Sequence, residues 1–123
     1  MGRVQDYLGF PRLYSAAFRL QGAANPTSLS VGINTLGGEV VWTYTAIGFL
    51  TGTCAGAPFP AIPAKMMFGY SYTGAGTNAP PFVNLRRIGS TTVSCDTRDL
   101  AFASADFTMG ATERLLIYIA VFE

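Results

Sequence analysis

The chain has 123 residues, half of them hydrophobic and only 12% charged, with a formal net charge of +1; an ordinary soluble protein carries roughly 25% charged residues. The length supports a single domain, and so balanced a charge excludes electrostatic steering toward nucleic acid or anionic lipid. The absence of histidine removes the commonest general base and metal ligand, and with it Ser-His-Asp, Cys-His and zinc-water chemistry.

In chain order, residues 1–11 read as an N-terminal arm and residues 12–123 as one β-sandwich domain. Tyr7, Leu8 and Phe10 give the arm an apolar docking edge, and no basic stretch followed by an apolar run marks it as a secretory signal. Leu13 to Leu20 reads as a first strand, followed by a loop at Gly22 to Pro26. From Ser28 to Ile33 the alternation is strict, which places Leu29, Val31 and Ile33 on one buried face and Ser28, Ser30 and Gly32 outside. Gly37-Gly38 supplies the positive φ of a tight hairpin, and Glu39 to Thr45 returns with Val40, Trp42 and Tyr44 on one face.

Ile47 to Cys54 reads as a further strand interrupted by Gly48 and Gly52. Three prolines make Ala55 to Pro63 a loop, because proline cannot donate to a sheet interior. Ala64 to Tyr72 resumes as a strand, Thr73 to Pro81 is the longest exposed loop, and Phe82 to Ile88 pairs with Thr91 to Cys95 through Gly89-Ser90. In Asp96 to Gly110, Asp99 offers a cap for a single helical turn, but a loop is the preferred reading. Short runs at roughly ten-residue spacing predict an all-β, antiparallel, jelly-roll-like sandwich.

The final run, Leu115 to Phe122, is eight apolar or aromatic residues, too short to span a membrane. It reads as a strand covered on both faces, one by the core and one by a neighbouring subunit. Leu115, Leu116, Ile117, Tyr118, Ile119, Val121 and Phe122 are therefore the candidate oligomer interface. The scarcity of charge and the choice of Arg for seven of eight basic residues lean the same way, since interfaces favour Arg over Lys.

Little else suggests chemistry. Asp96 with Asp99, and Asp106 with Glu113, are the only carboxylate clusters, and hydrogen bonding to local backbone explains them better than acid-base work. Arg86 and Arg87 point to opposite faces of a strand, so rim salt bridges are expected rather than a phosphate site. Cys54 and Cys95 lack metal-site spacing and read as buried thiols. Tyr70, Tyr72 and Asn78 of the adjoining loop form a candidate ligand or host contact, with an aromatic platform suited to glycan.

Leu13-Tyr-Ser-Ala-Ala-Phe-Arg-Leu-Gln-Gly, Asn25-Pro-Thr and Asn34-Thr-Leu-Gly-Gly-Glu-Val-Val-Trp-Thr-Tyr-Thr, followed by Gly48-Phe49 and Gly56-Ala-Pro-Phe59, together resemble small structural proteins of tailed phages and prophages of Bacteroidetes hosts. The resemblance covers roughly the first half of the chain, with Asn34 to Thr43 its specific part. The more apolar C-terminal ending, from Ile117 to Glu123, departs from that group. The resemblance implies a virion component, a capsid decoration or head-fibre module made in the host cytoplasm and carried on the capsid surface, with no enzymatic activity and no cofactor. Its expected partners are further copies of itself, a trimer by analogy with viral fibres, and the major capsid protein or other virion proteins. Neither nucleic acid binding nor membrane insertion is expected. Two further readings are a glycan-binding host-recognition module of a tail or fibre and a bacterial filament or injection-device component.

Overall fold

The computed structural model describes residues 11–74 and 78–122. The runs punctuated by Gly and Pro become eight strands: β1 (Arg12–Arg19), β2 (Thr27–Asn34), β3 (Val40–Ala46), β4 (Phe49–Cys54), β5 (Met66–Thr73), β6 (Phe82–Gly89), β7 (Thr92–Arg98) and β8 (Arg114–Val121), with one 3-10 turn at Pro63–Lys65. All pairings are antiparallel. They build two four-stranded sheets, a first of order β2-β1-β8-β5 and a second of order β3-β4-β7-β6, packed as a β-sandwich. As in a jelly roll, the first and last strands are neighbours; the hairpins β1-β2, β3-β4 and β6-β7 each stay within one sheet.

Alternation along the central strands builds the core. Tyr14, Ala16 and Phe18 of β1 and Leu115, Ile117, Ile119 and Val121 of β8 point inward, facing Val40, Trp42, Leu50, Cys54, Val93 and Cys95 of the second sheet. Each large apolar side chain so buried contributes about 1.5–3 kcal/mol. The Trp42 indole N–H donates to the Tyr14 hydroxyl at 3.0 Å, a bond that joins the two sheets, while the Trp42 ring lies tilted against Phe18 at 5.4 Å between centroids.

Three expectations are corrected. Gly37-Gly38 does not close a hairpin: β2 and β3 lie in different sheets, so the turn is a crossover over the edge of the sandwich. Gly37 takes φ +96° there, while the Asn34 side chain accepts from the Leu36 N–H and donates to the Gly38 carbonyl. The second correction is β2 itself, which is exposed along its whole length. Ile33 pairs with Ser15 while Val31 pairs with Ala16, so a bulge at Gly32 sends the two side chains to opposite faces of a sheet-edge strand. The strict alternation of the sequence is broken at the one place where it predicts burial.

Gly48, read as an interruption of a strand, is instead the turn between β3 and β4 at φ +65°. Asp99 caps no helix; residues 99–103 are a loop, as preferred from the sequence. The arm residues Tyr7, Leu8 and Phe10 lie outside the described residues. The connections at 20–26, 47–48 and 99–113, with residues 74 and 78–81, gather at one end of the sandwich, and those at 35–39, 55–65 and 90–91 at the other.

Candidate functional site

β8 occupies the middle of the first sheet, between β1 and β5, and its two faces have different fates. Leu115, Ile117, Ile119 and Val121 are at most 2% exposed inside the protein's own core, so these four of the predicted interface residues are closed to a neighbouring subunit. Leu116, Tyr118 and Ala120 point the other way, and Tyr118 is 43% exposed. Phe122 is half-buried at the end of the strand, its N–H donating to the Lys65 carbonyl.

Register carries this outer face across the sheet. Leu13, Ser15 and Ala17 of β1 pair with Ala120, Tyr118 and Leu116; on the other side Met67, Gly69 and Ser71 of β5 pair with the same three residues. Ile33 joins from β2 opposite Ser15. The result is an uncharged central face where Tyr118 rises among small residues. Beside it lies an open groove of about 470 Å³ lined by Leu13, Ile33, Met67, Tyr118 and Ala120. Met67, Leu13 and Ile33 escape a reading that fixes on the apolar run of β8; their signal is the same-face alternation of Leu13-Ser15-Ala17 and Met67-Gly69-Ser71.

The polar side chains are occupied in holding the fold. Asp99 accepts from the N–H groups of Ala101 and Ala103, and Asp106 from the Gly48 N–H and the Tyr44 hydroxyl. Buried Glu113 accepts from the Gly110 N–H and from Asn78; Asp99 serves local backbone as expected, whereas Asp106, and Glu113 through Asn78, tie together segments distant in sequence. Arg86 reaches Asp96 at 3.3 Å on the outer face of the second sheet, and Arg87 turns inward to the Phe59 carbonyl. Among the described residues no group of three His, Cys, Asp or Glu is placed to hold a metal ion. Cys54 and Cys95 are buried free thiols, and burial, with the nearby Asp96 charge second, pushes the Cys95 thiol up to about 12.

The predicted host contact is only partly open. Tyr70 and Tyr72 do share a face, edge to face at 5.8 Å, on the edge strand β5. The Tyr72 hydroxyl, however, donates to the Pro80 carbonyl, and its partial burial raises its pKa to about 12. Asn78 is held by Glu113. Tyr70 remains exposed at 42%. Tyr70 and Asn78 are thus exposed, while Tyr72 is half-buried with its hydroxyl engaged. Comparison with protein-family models, with curated proteins and with solved structures finds no match.

Proposed function

We propose that this chain is a non-catalytic virion structural protein of a tailed phage, a capsid decoration or head-fibre module that assembles as a homo-oligomer, most simply a trimer, through the outer face of the first sheet. The observation that carries the assembly is the uncharged surface around Tyr118 with its adjoining apolar groove; a monomer gains nothing by leaving Leu13, Ile33 and Met67 in water. The phage assignment is supported by the sequence resemblance over Asn34 to Thr43 and by the charge-poor composition. In this fold those motif residues are architectural: Asn34 shapes the crossover, and Trp42 bonds across the two sheets.

The oligomer would be sealed by apolar burial, with Tyr118 of one copy seated among the small residues of the next. Light scattering across a hundredfold concentration range tests it: a concentration-independent multiple of the 13.1 kDa chain is expected. Tyr118→Arg, which places a charge at the centre of the face, should return the monomer with an unchanged fold. A wild-type chain that is monomeric throughout overturns the reading.

A further inference from the structure

The strands β5 and β6 are edges of their two sheets, and the side of the sandwich between them is open. Met66 and Phe68 stand on the core-facing side of β5, in register with Val121 and Ile119. Leu85 and Arg87 stand on the core-facing side of β6, in register with Cys95 and Val93. With Pro60 and Pro63 of the loop before β5, these four residues line a groove of about 420 Å³. Among the described residues β5 pairs only with β8 and β6 only with β7, so each presents a row of backbone N–H and C=O groups with no strand beside it.

Arg87 is a charge at a core-facing position of this groove. It is half-buried, and its Nε donates to the Phe59 carbonyl at 3.1 Å. Its two terminal nitrogens have no acceptor among the described residues. Asp96 of the neighbouring strand gives it no counter-charge, because it lies on the outer face and is bonded to Arg86. A guanidinium partly withdrawn from water without a counter-charge is costly, and its free fork matches the two oxygens of a carboxylate. Arg87 also decides which strands this edge accepts. An inward-pointing charge blocks pairing with an ordinary apolar strand, whereas a strand that brings its own carboxylate is admitted.

We propose that this groove captures the extended, apolar C-terminal segment of a partner polypeptide. The terminal carboxylate pairs with Arg87, the side chains pack on Met66, Phe68 and Leu85, and the backbone adds to the edge of β5 or β6. Each part of the site selects this occupant. The apolar walls favour an apolar chain over a sugar, the free guanidinium favours a carboxylate, and the unpaired strand edges favour a peptide backbone over a simple aliphatic acid, which has no N–H groups to offer. The inference does not rest on the oligomer or on the phage assignment, since the groove opens on the core-facing side of β5 and not on the outer face around Tyr118.

Titration of the 15N-labelled full chain with the peptide acetyl-Val-Ala-Val-Leu, followed by NMR, tests it. The peptide is used once with a free C-terminal carboxylate and once as the C-terminal amide. The acid should shift the amide signals of Met66, Phe68, Leu85 and Arg87, and the amide should bind about tenfold or more weakly, the loss of one charge-assisted pair. Arg87→Met keeps the apolar stem without the charge and should bind acid and amide equally, at the weaker level. Ala61→Trp, which fills the groove from its exposed rim, should abolish binding, while Val41→Asp, on the exposed outer face of the second sheet, should leave it unchanged; circular dichroism confirms that each variant is folded. Should Arg87→Met fail to fold, the comparison of acid with amide on the wild-type chain and the Ala61→Trp variant decide the matter. The proposal is overturned by absence of shifts with the acid, by acid and amide binding the wild type equally, or by the acid binding Arg87→Met as well as wild type. Decanoate binding more tightly than the peptide overturns it too, by identifying an aliphatic acid as the occupant. So do shifts of the same four signals on concentrating the chain alone, which would identify the occupant as a second copy.

Discussion

At the residue scale, the contact between Trp42, Tyr14 and Gly52 concentrates the constraint between the two sheets. A β-carbon at Gly52 would stand 2.9 Å from the Trp42 ring, and the indole cannot retreat without losing its bond to Tyr14 across the core. Gly52→Ala should therefore cost about 1–3 kcal/mol, as overpacked cores do, read as a fall in the urea unfolding free energy. The buried thiol makes a separate prediction. Cys95 ionises near 9.0 when unconstrained and near 12 in the fold, mainly through burial and then through Asp96. Because the folded value is the higher, its contribution to stability is complete below pH 9 and disappears as pH rises toward 12. The hydroxyl of Tyr72 adds the same trend from pH 10 to about 12. Urea midpoints should fall across this window, and the fall should be shallower in Cys95→Ala. Both cysteines are legible in the sequence as buried thiols, because two lone cysteines without spacing or histidine partners leave little else. The role of Gly52 is not, since only the packing shows that an aromatic ring from the neighbouring strand lies over it.

At the element scale, β8 shows how far an apolar run can be read. Its position as a strand follows from eight consecutive apolar residues, but a run without alternation does not say which face the protein covers itself. The sheet order answers that: the second sheet closes over Ile117 and leaves Tyr118 outside. Ile117→Ala should cost about 2–5 kcal/mol, whereas Ala120→Ser, on the opposite face, should change monomer stability by less than about 0.5 kcal/mol; thermal or urea unfolding of the two variants distinguishes the faces. The strand β2 teaches the converse. Its alternation is the cleanest in the chain, yet it lies at a sheet edge and is bulged at Gly32, so the pattern that usually reports burial reports nothing of the kind. The loop from Asp99 to Ala103 was legible as a turn through Asp99, whose carboxylate bonds to its own backbone, but not as the support of two exposed apolar side chains.

At the scale of the whole molecule, the two surfaces lie apart: a sheet face built from β1, β8 and β5, and a groove along the open side between β5 and β6. By itself the sequence determined the all-β class, the approximate positions of the strands, the absence of histidine-dependent chemistry and the burial of both cysteines, because these depend on residue type and short-range pattern. The pairing of β2 with β1 rather than β3, the division of β8 into a core face and an open face, and the half-burial of Tyr72 beside an exposed Tyr70 were decided only by the tertiary structure. Each depends on which distant segments meet, and a run of residues carries no record of the face its neighbours will cover.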